Sequence, residues 1–398
     1  MNITIKELVK KFGDAFYLLD SQQFRRNYVE LKQTFSSIYP KFNIAYSYKT
    51  NYIPKICKIV NEMGGYAEVV SEMELELALK IGVNPINIIW NGPIKNPIDM
   101  EQFLLLGGVI NVDSLDELEI IKSIKLKHPT VVFNLGIRVN YDVGEGVISR
   151  FGFDTLSSDF TNALTYVSNT RNVKLINIHC HFSKRQIEHW YPRVTGMIEL
   201  LDKIGIIPER IDLGGGLFGK MTDTMKSQFN TAIPSYEDYA SVVAKMFAER
   251  FGENGPELII EPGTALVGDC MKFIGVVKSI KNVRGKWIAS IMGSQKNINM
   301  NGINPPIEII HDRDNTNEYV NMDLVGYTCI EGDVLYHNYS GKLAINDVII
   351  ISNCGSYSLV MKPPFILPNF PVIDISEGKM EIIKRVEKFE DIFQTYIF

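Results

Sequence analysis

The feature that most constrains the fold is an alternation that runs through residues 42–263. Short apolar, β-rich runs are each followed by a turn and then by a stretch with helical spacing of apolar residues. Because parallel strands need long crossover connections, this alternation indicates a parallel sheet with intervening helices. Eight such units in succession predict a closed (β/α)₈ barrel. The strands are predicted at Asn43–Tyr48, Ala67–Val70, Asn87–Trp90, Val109–Val112, Val131–Val139, Lys174–His181, Arg210–Leu213 and Glu257–Glu261.

Helix starts within this region carry recognisable capping residues. Ser71 is followed three residues later by Glu74, and Ser114 is followed by Glu117 in the same way. Both pairs match the capping-box pattern, in which the two side chains bond each other's backbone N–H groups. A longer helix is predicted over Ile187–Ile204.

The sequence pattern changes after about residue 270. Apolar β-branched runs recur there without long helical stretches, and Gly and Pro separate them, which is typical of a mostly antiparallel β domain. The segment Gly13–Asp20 also has strand character and could pair into that domain, which would bring the two chain ends together. We therefore predict a barrel over residues 21–268 and a β domain formed by residues 1–20 and 269–398. The predicted strands of the second part are Phe273–Ile280, Trp287–Met292, Ile307–Ile310, Asp347–Ser352 and Val372–Ile375.

Length and composition fit a two-domain globular protein. The chain has 398 residues, which is more than one hydrophobic core usually serves, and its net charge of −5 suggests neither nucleic acid nor an anionic membrane as partner. No apolar run approaches the roughly 20 residues of a membrane-spanning helix, and the first residues lack the apolar core of a signal peptide. The five cysteines show neither metal-ligand nor disulfide spacing, so we expect a cytoplasmic protein without a metal site.

Reactive or small residues fall at the predicted strand ends, and a barrel gathers its carboxyl strand ends at one opening, where active sites lie. Residues that are far apart in the sequence are therefore expected to meet there. In chain order these residues are Lys49, Glu68, Asn91, Asp113, Arg138, His179, His181, Gly214, Gly215, Gly216, Glu261 and Gly263.

The glycine run is a candidate phosphate site. DLGGGLFG places Gly214, Gly215 and Gly216 at a strand-to-helix turn, where backbone N–H groups can approach an anion closely. A simple tight turn is the alternative. The neighbouring strand end carries EPGT with a further glycine, Gly263, and phosphate sites of such barrels favour these two loops. The pair of glycine turns therefore favours a phosphate ligand.

Lys49, in the sequence SYKTN, is a candidate nucleophile. A lysine inside a barrel opening loses proton affinity and becomes a reactive amine, although a solvated lysine is the ordinary alternative. A lysine and a phosphate cradle at one opening together suggest pyridoxal 5′-phosphate (PLP), which needs both. Glu261 would then keep the pyridine nitrogen protonated, or else form a structural ion pair, for example with Arg138. His181 could stack on the ring or be an ordinary core histidine.

Taken together, these residues resemble the fold-type III PLP-dependent decarboxylases, which include barrel-type diaminopimelate, ornithine and arginine decarboxylases. The resemblance covers nearly the whole chain and rests on six motifs in order. These motifs are SYKTN, HCHF, DLGGGLFG, EPG, GYTCIEGDVL and GSYSLVM.

The resemblance implies roles for individual residues. Lys49 would carry PLP through a Schiff base, and Cys329, delivered from the partner of a homodimer, would return a proton after CO₂ leaves. The implied catalytic residues are Lys49, His181, Glu261 and Cys329. The implied cofactor-binding residues are Lys49, Arg138, His181, Gly215, Gly216, Glu261, Gly263, Thr264 and Tyr357.

Departures from the family pattern bear on the substrate and on the phosphate. The family usually has Arg where this chain has Thr264, and Lys184 could supply the missing charge. Ile330 replaces the acid that grips a distal amine, and residues 293–304, GSQKNINMNGIN, lack the arginine that recognises a distal carboxylate. These departures favour a branch acting on secondary-metabolite or carrier-bound amino acids over free diaminopimelate. A PLP-dependent racemase or epimerase and a non-catalytic regulatory homologue are the alternatives.

Overall fold

In the computed structural model, which describes residues 4–300, 302–313 and 317–398, the chain divides into two compact units. One unit, called here the barrel unit, contains Tyr28–Phe218 and Thr231–Ala265. The other, called the β unit, contains the described residues up to Asn27, then Gly219–Asn230 and Leu266–Phe398.

The elements up to the end of the barrel alternate along the chain. Ahead of the barrel strands lie α1 (Ile5–Phe12), β1 (Ala15–Leu19) and α2 (Ser21–Ser36). There follow β2 (Phe42–Ser47), α3 (Pro54–Glu62), β3 (Tyr66–Val69), α4 (Glu72–Lys80), β4 (Ile88–Trp90), α5 (Pro97–Leu105), β5 (Val109–Val112), α6 (Leu115–Lys127), β6 (Phe133–Asn140), β7 (Phe153–Asp154), α7 (Ser158–Asn169), β8 (Val173–His179), α8 (Ile187–Ile204), β9 (Arg210–Asp212), α9 (Asp223–Lys226), α10 (Tyr236–Phe251), β10 (Glu257–Ile260) and α11 (Thr264–Val267).

Eight parallel strands close into a barrel, which confirms the predicted fold class. The strand order is β5-β4-β3-β2-β10-β9-β8-β6, and β5 also pairs with β6, so the ring has no free edge. The observed strands begin and end within two residues of the predicted ones, and α8 has the predicted bounds. The strands are buried on nearly all positions because helices cover the outside and side chains fill the inside.

The two predicted capping boxes are each half correct. The hydroxyls of Ser71 and Ser114 accept the N–H groups of Glu74 and Glu117, as expected for N-caps. Each glutamate, however, accepts the N–H of the residue before the serine, namely Val70 and Asp113, at 2.7 Å. The carboxylates therefore fasten the end of a barrel strand to the following helix.

The β unit is a sheet of mostly antiparallel strands. Only two of its described pairings are parallel, β1 with β17 and β12 with β14. Its further elements are β11 (Met271–Val283), β12 (Lys286–Ile291), α12 (Gln295–Ile298), β13 (Ile307–Ile310), β14 (Asn317–Val325), β15 (Val334–Leu343), β16 (Val348–Ile351), β17 (Val372–Asp374), β18 (Glu381–Lys384) and α13 (Phe389–Phe393).

The two ends of the chain meet in this sheet, as predicted. Strand β1 lies between β11 and β17, with Tyr17 opposite Phe273 on one side and Val372 on the other. Phe16 and Leu18 face the opposite way and pack in a buried apolar cluster. Strands β14, β15 and β18 and helix α1 were not predicted. Among the described helices, none combines the length and the apolar character that crossing a membrane requires.

Candidate active site

Lys49 lies at the barrel opening, in a short 3₁₀ turn that directly follows β2. Its side chain is 33% exposed, and its Nζ lies 2.5 Å from Oε2 of Glu68, which is almost completely buried on β3. A charge-assisted contact of this length orients the amine. The amine is therefore held inside the opening instead of extending into bulk solvent.

Glu68 and Glu261 are joined through an amide. The Nδ2 group of Asn91 donates to Oε1 of Glu68 at 3.1 Å and to Oε1 of Glu261 at 2.5 Å. Asn111 donates to Asn91, and Asn177 donates to Asn111, all inside the barrel. The hydrogen-bonded ladder connects side chains from five strands or strand ends and fixes the two carboxylates relative to each other.

Glu261 is a buried carboxylate between two histidines. His179 Nε2 lies 3.3 Å from Oε1, and His181 Nδ1 lies 3.3 Å from Oε2. Burial opposes ionisation of Glu261, but His179, His181 and the Lys49 charge outweigh burial and hold its pKa well below the ordinary range. Glu261 is therefore a permanent negative charge in the opening.

The pKa of Asp212 shifts in the opposite direction. Burial, and then the Glu261 charge, raise the pKa of Asp212 well above the ordinary value.

His181 is neutral and firmly oriented. Desolvation in the opening lowers its pKa to about 4, and the backbone N–H of Gly215 donates to Nδ1 at 3.0 Å. Nδ1 also lies 3.3 Å from Oε2 of Glu261, so contacts on both sides orient the ring. Ligand atoms of His179, His181 and Glu261 lie within 4.8 Å of one another, a spacing that would also suit a metal ion. The Lys49 charge acts on both His181 and Glu261, and a positive charge this close opposes the binding of a cation.

The predicted cradle leaves no room for side chains at three of its glycines. A Cβ on Gly214 or on Gly215 would lie 2.4 Å from a backbone oxygen, of Cys180 and Glu261 respectively. A Cβ on Gly263 would lie 2.0 Å from Oγ1 of Thr50, the neighbour of Lys49. The two glycine turns and the Lys49 turn are therefore in close contact within the barrel unit.

Arg138 has another partner than expected, and Lys184 lies at the surface. Arg138 pairs with Asp113 at 3.5 Å, so the ion pair between Arg138 and Glu261 considered above is wrong. Lys184 is exposed, and its backbone N–H donates to Glu145 at 3.2 Å. The same carboxylate accepts the hydroxyl of Ser183 at 2.8 Å.

The late cysteine motif lies in the β unit. Cys329 is exposed, and Ile330, the next residue, is 50% exposed. The loop before them is fastened by Asp333, which accepts the hydroxyl of Thr328 at 2.6 Å and that of Ser294 at 2.9 Å. Tyr357, also in this unit, is partly exposed and has a left-handed backbone with φ of 59°.

The groups of the barrel opening fit PLP in kind. An oriented amine, a permanent carboxylate, a neutral ring and a glycine cradle are the four contacts that this cofactor uses. Three contributors were not predicted, namely Asn111, Asp212 and Arg193. Asn111 and Asp212 lie within predicted strands and could have been noticed as polar residues in apolar runs.

Comparison with known proteins gives one consistent group. Residues 22–268 match the family described as pyridoxal-dependent decarboxylase, pyridoxal binding domain. The chain is 26% identical to the diaminopimelate decarboxylase of Methanothermobacter thermautotrophicus, over 98% of this chain and 92% of that one. It is 24% identical to the enzyme of the same name from Aquifex aeolicus, over 98% and 94%.

Two solved structures show the same fold. The diaminopimelate decarboxylase of M. jannaschii, in co-complex with L-lysine, superposes with a TM-score of 0.85 at 23% identity, over 98% of this chain and 94% of that one. The arginine decarboxylase of Paramecium bursaria Chlorella virus gives 0.75 at 20% identity, over 94% and 100%.

Proposed function

The chain belongs to the fold-type III PLP-dependent decarboxylases and is thus a PLP-dependent carboxy-lyase, and we propose that its substrate is an amino acid without a free distal ammonium group. A carrier-bound amino acid or a secondary-metabolite intermediate meets this description.

Residues of the barrel unit would hold the cofactor. Bound PLP supplies an aldehyde for an amine and a pyridinium ring that takes up the electron pair released with CO₂. Lys49 would provide the amine, and its contact with Glu68 holds it in place. Glu261, kept ionised by its histidine neighbours, would keep a proton on the pyridine nitrogen, while His181 would lie against the ring. Gly215, Gly216, Gly263 and Thr264 would surround the phosphate. Arg138 and Tyr357 stay sequence-based predictions for the same cofactor.

Cys329 would return the proton to the α-carbon after CO₂ has left. Its thiol is exposed on the β unit, as a group that serves another subunit must be. We propose a homodimer in which each opening receives Cys329 from the partner chain. Thr328 and Asp333 hold the loop that carries the thiol.

The observation that carries the substrate proposal is the apolar side chain of Ile330 beside Cys329. Ile330 is 50% exposed and offers no acceptor for an ammonium group, whose transfer next to an apolar side chain without a partner is costly. A substrate that ends in a neutral or carrier-linked group avoids that cost. In the family pattern described above an acid that grips a distal amine stands at this position, so its replacement by Ile330 favours a substrate without that amine.

A CO₂-release screen tests the proposal. Purified protein reconstituted with PLP would be given free diaminopimelate, ornithine, arginine and lysine, neutral amino acids, and aminoacyl thioesters of a carrier protein. We expect the fastest release from a neutral or carrier-linked substrate, and none from the Lys49→Ala variant. Fastest release from free diaminopimelate would overturn the substrate proposal, whereas racemisation without CO₂ would overturn the reaction.

A further inference from the structure

Arg193 on α8 is a completely buried arginine whose hydrogen bonds all go to backbone carbonyl groups. Nη1 donates to the oxygens of Gly215 at 2.7 Å and Leu213 at 3.4 Å. Nη2 donates to the oxygens of Phe182 at 3.1 Å and Lys184 at 3.3 Å. One guanidinium therefore connects the loop after β8, which carries His181, with the glycine loop after β9, which carries Gly214, Gly215 and Gly216.

The charge of Arg193 has no acid of its own. Among the described residues the guanidinium donates to carbonyl oxygens alone, and its Nε–H has no acceptor. The charge of Glu145 acts on Arg193 without a direct bond. The nearby acid Glu145 bonds Ser183 and Lys184 instead. The guanidinium lies over the ring of Trp190, 4.0 Å from the centroid. A buried cation without an ion-pair partner in contact is costly, so packing alone would be served better by an apolar residue.

The contacts from α8 also set the direction of the cradle's N–H groups. The carbonyl of Gly215 points to Arg193, and the carbonyl of Gly216 points to Nε1 of Trp190 at 3.3 Å. In a trans peptide the C=O of one residue and the N–H of the next point in opposite directions. The N–H groups of Gly216 and Leu217 are thus directed away from α8. A Cβ on Gly216 would lie 3.8 Å from Nη2 of Arg193, so the charge is close to the turn.

We propose that Arg193 is the positioning residue of the cofactor-phosphate cradle and supplies the positive charge that Thr264 does not. The idea rests on the proposed PLP site. Arg193 acts from behind the glycine loop, by directing backbone N–H groups and by adding a buried charge, and it does not touch the reacting atoms. Lys184, the other candidate, is exposed, and its carbonyl is one of the four that Arg193 holds.

The test compares PLP with pyridoxal, which has the same aldehyde but no phosphate. Binding of each to apo-protein would be measured by absorbance titration for Arg193→Met, Arg193→Lys and Lys184→Gln. Lys203→Gln, which removes an exposed charge from the same helix, is the matched control. We expect Arg193→Met to weaken PLP binding by about tenfold or more and pyridoxal binding by less than about twofold. Arg193→Lys should retain only part of the PLP affinity, because one ammonium group cannot reach all four carbonyl oxygens.

Inorganic phosphate provides a measurement that does not depend on the aldehyde. It should raise the melting temperature of the original apo-protein and of Lys203→Gln, but not that of Arg193→Met. If Arg193→Met does not fold, Trp190→Phe keeps an aromatic ring beside Arg193 and removes the bond to Gly216. This variant should show a smaller phosphate-selective loss.

Several outcomes would overturn the inference. Equal losses of PLP and pyridoxal binding would indicate a purely structural role for Arg193. Unchanged PLP binding in Arg193→Met would mean that another residue supplies the positive charge for the phosphate. A phosphate-selective loss in Lys184→Gln alone would identify that residue as Lys184. Absence of PLP binding by the unmodified protein would instead refute the proposed function itself.

Discussion

Replacing Gly263 by Ala should disturb the catalytic lysine through a neighbour. The new Cβ would lie 2.0 Å from Oγ1, 2.8 Å from Cβ and 3.1 Å from Cγ2 of Thr50. Non-bonded heavy atoms prefer roughly 3.5–4.0 Å, so the closest contact is short by about 1.5 Å. Thr50 is buried and directly follows Lys49, so relief of the clash must move the turn that carries the amine.

The expected magnitude follows from the size of that displacement. Overpacking of a close-packed interior typically costs about 1–3 kcal/mol of unfolding free energy. For a unit of this size, each kcal/mol lowers the melting temperature by about 2–4 °C. A shift of about 1 Å in a reacting group can cost about a hundredfold in rate. Activity should therefore fall much more than stability.

A double-mutant cycle with Thr50→Ala tests this mechanism. Alanine at position 50 removes Oγ1 and Cγ2 and leaves only the 2.8 Å contact of Cβ. The double variant should thus be more active than Gly263→Ala alone, measured as the initial rate of CO₂ release with apo-protein melting as the stability control. Additive losses, or full activity in Gly263→Ala, would refute the steric explanation.

Two further predictions concern protons. The fold raises the pKa of Asp212, so the folded state holds the Asp212 proton more tightly than the unfolded chain does. This stabilisation is complete below the unfolded pKa of about 3.9 and is lost as the pH rises through the native pKa. Between the two pKa values the loss is about 1.4 kcal/mol per pH unit. Asp212→Asn should therefore gain stability over the original chain as the pH rises above about 4 in urea unfolding, and parallel curves would contradict this. Cys329→Ala should slow CO₂ release by about a hundredfold with PLP absorbance unchanged. If each active site takes Lys49 from one chain and Cys329 from the other, random mixing of Cys329→Ala and Lys49→Ala subunits should restore about a quarter of the unmodified activity. Half of the dimers are then mixed, and one of their two sites is intact. If each site lies within a single chain, mixing should restore no activity.

The sequence predicts the barrel well because its strands are short apolar runs with clear boundaries. It does not predict β14 and β15, whose residues are mostly exposed or half-buried and therefore show no apolar run. Asn321 and Asn338 have left-handed backbones there, and the register of the pair shifts. A twisted, exposed ribbon is stabilised by cross-strand pairing, and single-strand patterns do not reveal such pairing.

The barrel topology predicts the site residues at strand ends, whereas Arg193 is recognisable only from the buried face of a helix. Trp190, Val194 and Met197 are buried on α8 at helical spacing, and Arg193 shares their buried side. An arginine at an inward position of an amphipathic helix is itself a signal, because such a charge is kept inside only where something compensates it. Carbonyl acceptors leave no mark in the sequence, since every residue has one. The loop sequence therefore points to Lys184 for the charge at the cradle, whereas the residue that we propose, Arg193, lies on the helix behind the loop.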